Sequence, residues 1–263
     1  MSTPILREAS KARLTPFPLA DSATARGTIL VLPGGGYHTL SLREAAPVAN
    51  AYNALGYHAF VLEYSIEPAP LHTLPLADTA WAVDHIRSHA AEYGLDPDRI
   101  ILCGFSAGGH LAASLGNYWS RPEFFGGTKP AEAYRPNAMI LCYPVLVAGL
   151  FTHDGTLNRL VGGGELSARI PFSMEWQANP TTPPTFMFHN VDDYSVPVEN
   201  VLMMAASLST HRVPFELHVF PKGGHGQSVA TEEVLGTEVN HPIHAHVAHW
   251  VELSAEWMDL TFS

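Results

Sequence analysis

Ser106 stands in Gly104-Phe105-Ser106-Ala107-Gly108, a G-x-S-x-G that directly follows the apolar run Ile100-Ile101-Leu102-Cys103. A serine hydroxyl attacks a carbonyl only when a neighbouring base removes its proton. Exposure comes first. A strand that reverses into a helix within one tight turn pushes the serine out at the strand's C-terminal end. The residues that follow, Ala107, Gly108, Gly109, Ala112 and Ala113, are small for a helix. Glycine inside a helix costs roughly 1 kcal/mol against alanine, so the pair implies an approach that side chains would obstruct. The N-terminus of that helix also favours negative charge developing beside the serine.

The base and the acid that orients it must come from elsewhere in the chain. In an open α/β sheet, functional side chains gather at the carboxyl ends of strands. Two late apolar runs end in suitable residues. The run over 185–189 leads into Asn190-Val191-Asp192-Asp193, and the run over 215–220 leads into Pro221-Lys222-Gly223-Gly224-His225-Gly226. Glycines on both sides of His225 let its loop fold back toward the serine. Residue type alone leaves Asp192 and Asp193 as equal candidates. Attack on a carbonyl also creates an oxyanion, which needs donors within about 3 Å. Pro33-Gly34-Gly35-Gly36-Tyr37, which breaks the run over 27–32, offers backbone N–H groups free of side-chain obstruction.

With 15 histidines in the chain, most need a different reading. His189 and His218 fall in strands and are expected to be satisfied core residues. His110, one turn along the serine helix, is expected to be structural. His85 and His89 share a helix face but lack the glutamate of a zincin motif, and His241, His244, His246 and His249 crowd the last helix. No metal and no cofactor is expected.

Strand and helix patterns alternate through the chain. Strands are expected over 27–32, 57–63, 100–103, 137–142, 185–189 and 215–220. Helices are expected over 43–55, 76–93, 107–116, 198–208 and 244–260, with an extended edge segment over 4–25. The alternation predicts an α/β fold with a mostly parallel central sheet and helices on both faces. Residues 1–263 read as one domain. Residues 147–182, with Gly162-Gly163-Gly164 and several prolines, read as an irregular lid or pocket wall.

A length of 263 residues suits one such domain with an ample core. Net charge of −11 argues against nucleic acid and anionic lipid as partners. No apolar run approaches the roughly 18 residues of a membrane span. The first nineteen residues lack the apolar centre of a signal peptide. Cys103 and Cys142 sit in apolar runs and read as buried hydrophobes, so a reducing cytoplasm is expected. The sequence leaves the oligomeric state open, a homo-oligomer included.

Taken together, the motifs resemble the α/β-hydrolase superfamily of serine esterases. More narrowly, they are similar to the small bacterial acetyl-esterase and xylan-esterase group related to hormone-sensitive lipase. The resemblance rests on PGGGY at 33–37, Arg43-Glu44, GFSAGGHL at 104–111, Cys142-Tyr143-Pro144, HNVDDYSVPVEN at 189–200 and GGHG at 223–226. In that family the acid loop runs H-x-x-x-D-x-x-V-P, which carried onto His189 and Val196-Pro197 selects Asp193. The family's His-Gly-Gly-Gly has Pro33 in place of its histidine here, but donors that are backbone groups survive the change. The resemblance assigns them to Gly35, Gly36 and Ala107. It implies cofactor-free hydrolysis of a small-molecule ester with a short acyl group, acetyl above all, carried on an alcohol such as a xylo-oligosaccharide. Arylformamidases share this fold and triad, so amide hydrolysis is the nearest alternative. A hydrolase fold that binds without catalysing is another.

Overall fold

Strand β5 (Ile100–Phe105) lies inside a sheet of eight strands ordered β1-β2-β4-β3-β5-β6-β7-β8. The computed structural model describes residues 3–22 and 25–263. β3 (Thr28–Leu32), β4 (His58–Glu63), β5, β6 (Ala138–Cys142), β7 (Thr185–Asn190) and β8 (Phe215–Phe220) run parallel. β1 (Ile5–Leu6) and β2 (Arg13–Phe17) pair antiparallel at one edge. Every residue of β3, β5, β6 and β7 is buried, which is why those segments read as unbroken apolar runs.

Two apolar clusters cover the faces of the sheet. Leu30, Leu102 and Met139 pack on one side, and Ile29, Ile101 and Ile140 on the other, in the strict alternation of a pleated strand. Each fully buried side chain of this size contributes about 1.5–3 kcal/mol. Helices of eight or more residues among the described ones are α1 (Ala46–Ala54), α2 (Leu74–Ser88), α3 (Ala107–Tyr118), α4 (Asp154–Val161), α5 (Glu199–Thr210), α6 (His241–Ala248) and α7 (Trp250–Thr261). α2 and α3 lie on the first face, while α1 and α7 lie on the second.

Several boundaries differ from the sequence expectation, each for a local reason. The helix expected over 43–55 begins at Ala46 with Pro47 in its first turn, after a separate turn Leu42–Glu44. The helix over 76–93 breaks at His89, whose ring nitrogen bonds the His85 carbonyl; Ala90–Tyr93 follows as a separate turn closed by Gly94. The helix over 244–260 is two helices that meet at His249. The edge segment over 4–25 holds two short strands, and its residues 23–24 lie outside the described residues. Residues 147–182 are not irregular throughout: they carry α4 and the short turns Leu166–Arg169, Ile170–Phe172 and Met174–Gln177.

Candidate active site

At the end of β5 the chain turns through Ser106 with φ 51 and ψ −114 and enters α3. Such a backbone is costly for a residue with a side chain. The surrounding contacts hold it there. Ser106 N–H donates to the Cys142 carbonyl at 3.0 Å, and its own carbonyl accepts from His110 and Val145. The glycines permit close approach. A methyl group on Gly104 would lie 2.2 Å from the Gly108 carbonyl oxygen, and one on Gly108 would lie 2.0 Å from that of Leu32. One on Gly109 would meet Pro144 at 2.6 Å.

Three loops converge on this turn. His225 Nε2 lies 3.0 Å from Ser106 Oγ, and His225 Nδ1 lies 2.6 Å from Asp193 Oδ2. Asp193 Oδ1 accepts from the N–H groups of Ser195 and Val196, both at 2.9 Å. Burial opposes the charge on this carboxylate, but donors from His189, His225 and Val196 outweigh it and hold its pKa well below the usual carboxylate range. Asp192 makes no hydrogen bond or ion pair with His225, whose partners are Asp193 and Ser106. It accepts from Gly224 N–H at 2.8 Å and so braces the histidine loop. Asn190 adds two more ties to that loop, donating to the Gly224 carbonyl and to Gln227 Oε1.

The N–H groups of Gly35, Gly36 and Ala107 donate to no protein acceptor among the described residues. Gly35 and Gly36 line the cavity that holds Ser106 and His225. The Gly34 N–H is taken by Glu44 Oε2 at 2.8 Å. Glu44 is 3% exposed and also accepts from the Tyr143 hydroxyl at 2.8 Å, which in turn accepts from Ser228 N–H. One buried carboxylate thus ties the glycine turn, the end of β6 and the histidine loop together. Burial pushes the Glu44 pKa up, against the hydrogen bonds from Tyr143 and Gly34. Burial also raises Tyr143, which stays a donor at neutral pH. Its ring stands edge-on to His225, 5.0 Å between centroids.

The cavity over Ser106 measures about 380 Å³. Its lining is glycine, serine, histidine, arginine and glutamate, with no aliphatic, phenyl or indole side chain. From the stretch 147–182, His153 is the residue that reaches it.

Sequence reasoning singled out Ser106, Asp193, His225, Gly35, Gly36 and Ala107, and the structure brings all six to one edge of the sheet. Glu44 appeared there only as half of a motif, and Asn190, Tyr143 and His153 carried no role. Asn190 and Tyr143 each sit at the carboxyl end of a strand or directly after it, the position that had pointed to the other site residues. His189 is buried between the Val196 carbonyl and Asp193. His218 departs from expectation: it stands half-buried on the edge strand against Glu216, not in the core. His110 is buried between the Tyr37 hydroxyl and the Phe172 carbonyl, a structural position.

A hydroxyl, an imidazole and a carboxylate linked across loops of a parallel sheet define a class of hydrolytic folds, and comparison with known proteins narrows it. The family BD-FAE matches residues 18–138. Endo-1,4-beta-xylanase B of Butyrivibrio fibrisolvens is 36% identical over 212 residues, 79% of this chain and 33% of that protein. Acetylxylan esterase of Xylanibacter ruminicola is 28% identical over 233 residues, 86% of this chain and 46% of that protein. The crystal structure of the acetyl ester-xyloside bifunctional hydrolase from Caldicellulosiruptor lactoaceticus superposes with a TM-score of 0.82 at 36% identity, covering 97% of this chain and 91% of that one. The chain belongs to the α/β-hydrolase superfamily, in the serine-esterase group related to hormone-sensitive lipase. It spans between a third and about half the length of the two curated relatives it matches. Among the described residues, no helix is long and apolar enough to cross a membrane.

Proposed function

We propose that the chain is a serine carboxylesterase that removes short acyl groups, acetyl above all, from hydroxylated alcohols such as acetylated xylo-oligosaccharides. The reading rests on one observation: a single imidazole spans the distance between Ser106 Oγ and Asp193 Oδ2, at 3.0 and 2.6 Å. His225 Nε2 takes the Ser106 proton as Oγ attacks the ester carbonyl. Negative charge on the carbonyl oxygen is held by the N–H groups of Gly35, Gly36 and Ala107. Collapse of that adduct breaks the bond to the alcohol, whose oxygen receives the proton from His225. Water then attacks the acyl-Ser106 carbonyl by the reverse route, yielding the acid and free serine. Asp193 keeps Nδ1 protonated and offsets the imidazolium charge.

The polar, glycine-walled cavity supports a small acyl group on a hydroxylated partner. Similarity to an acetylxylan esterase and to an acetyl ester-xyloside hydrolase points the same way. The proposal takes the chain as one α/β-hydrolase domain, with residues 147–182 as the wall of its site. Two unpaired buried cysteines, Cys103 and Cys142, suit a reducing cytoplasm.

A fluorophosphonate probe is expected to label wild-type protein at Ser106, located by peptide mass. Ser106→Ala escapes labelling and loses p-nitrophenyl acetate hydrolysis by a factor on the order of 10⁴–10⁶. Labelling at another residue, or turnover retained in that variant, overturns the assignment. A matched ester and formamide pair reads the acyl-oxygen preference, with the ester expected to turn over faster.

A further inference from the structure

We propose that His153 is a specificity-determining residue, the hydrogen-bond donor that reads a free hydroxyl on the alcohol half of the ester; this rests on the esterase reading above. His153 is the N-cap of α4 and lines the same cavity as Ser106 and His225. Its Nδ1 lies 2.8 Å from Thr156 Oγ1 and accepts from Thr156 N–H at 3.2 Å. An amide N–H can only donate, so Nδ1 carries the lone pair and the ring proton sits on Nε2. Nε2–H has no protein partner among the described residues, and it belongs to a ring that faces the cavity.

This donor is fixed in direction and in charge. Thr156 is fully buried, so the ring is anchored to a rigid point. α4 is fastened in turn to the glycine turn, because Arg159 Nε donates to the Tyr37 carbonyl at 3.2 Å. Burial, and next the charge of His225, keep His153 neutral below the ordinary histidine range. A neutral imidazole whose only lone pair is engaged cannot compete with His225 as a base. It can donate. Of the other serines of the cavity, Ser41 hydrogen-bonds the Glu44 carboxylate, and the Ser195 hydroxyl, which rotates between donor and acceptor, imposes less selection.

The alcohol half is the part within reach. The carbonyl oxygen of a bound ester points to the N–H groups of Gly35, Gly36 and Ala107, and the leaving oxygen must face His225, which protonates it. His153 lines the cavity together with His225, the residue that faces the leaving oxygen. A hydroxyl on the carbon adjacent to the one that bears the ester oxygen, as in a monoacylated vicinal diol or a partly acetylated sugar, would meet Nε2–H.

Ethyl acetate and 2-hydroxyethyl acetate share the acyl group and differ by one hydroxyl, so the ratio of their kcat/KM values reads this contact. Wild-type protein is expected to favour the hydroxylated ester. In His153→Ala that preference falls about fivefold to tenfold, the worth of one hydrogen bond. His153→Asn separates the cap from the donor: asparagine caps a helix well but is too short to present N–H to the cavity. It is expected to match wild type in thermal midpoint and His153→Ala in lost preference, and it carries the test if the alanine variant does not fold. A preference retained in both variants overturns the proposal, as does one that asparagine restores. Wild-type turnover of both esters without preference overturns this inference alone. Turnover of neither overturns the esterase reading with it.

Discussion

Two glycine-rich segments of this molecule use the same residue for opposite reasons. In the turn from β5 into α3, the glycines mark places where backbones touch: Gly108 has a carbonyl oxygen 2.0 Å from where its methyl would be. In Gly162-Gly163-Gly164, after α4, φ runs +78, +85 and +109, and a methyl on Gly163 or Gly164 would meet nothing within 4 Å. The first segment is specified by packing and the second by backbone conformation alone. The catalytic edge is accordingly locked by close backbone packing, while the wall carrying His153 is built from short helices tied to the rest of the fold by hydrogen bonds such as those of Arg159 to Tyr37, Tyr118 to Pro171 and Asn117 to Met174. Chemistry common to many substrates belongs on the close-packed edge, and selection among them on the wall that faces it.

If the catalytic edge is locked, loss of one contact at the reacting centre should have the largest effect in the molecule. Asp193→Asn is expected to lower kcat for p-nitrophenyl acetate by about 10⁴, because the amide favours the wrong imidazole tautomer. Asp192→Asn keeps an oxygen acceptor for Gly224 N–H and should cost far less, about tenfold or under. The two residues are neighbours, so a reversed order measured by steady-state kinetics would move the acid to Asp192.

Glycines set the next contrast. Gly108→Ala must displace the Leu32 backbone, and overpacking at a site with no flexible side chain to yield costs at or above the upper end of about 1–3 kcal/mol. Gly163→Ala meets no atom and loses only the positive-φ preference, about 1 kcal/mol. Urea midpoints of the two variants check this. Equal losses would remove the distinction between the segments.

This contrast also explains what the sequence could and could not tell. β5, β6 and β7 were legible because strands buried on both faces leave unbroken apolar runs, and the serine turn because crowding there admits only small residues. Asp193 and His225 followed from their place after late strands, with the choice of Asp193 over Asp192 supplied by resemblance to a known family. Glu44 was opaque: its role depends on Gly34, Tyr143 and Ser228, which are far apart in the chain and meet only after folding. His153 was hidden for a related reason, since a cap on a short helix in a proline- and glycine-rich stretch shows no periodicity. Breaks at His89 and His249 escaped because both residues suit a helix interior, and neither a proline nor a glycine marks the interruption.

His110 joins the two regions, and its effect is confined to acid pH. Its Nδ1 lies 3.0 Å from the Tyr37 hydroxyl, in the glycine turn, and its Nε2 donates to Phe172 O at 2.9 Å, in the wall. Burial lowers its pKa from 6.5 to about 4. Between those values the unfolded chain binds a proton that the folded protein does not, so stability falls as pH drops from about 6.5 toward 4. A difference of this size is worth at most about 3 kcal/mol, with the full loss reached only below the folded pKa. Asp193 has the opposite origin, a depressed carboxylate whose contribution is lost only below its unfolded pKa of about 3.9, outside this window. Glu44, raised by burial, works against the trend in both wild type and variant and drops out of their difference. His110→Asn should be less stable than wild type at pH 7 yet lose less on acidification to pH 4, as read by thermal midpoints across the range. A parallel decline in the two proteins would mean that the joint between turn and wall titrates nowhere in that window.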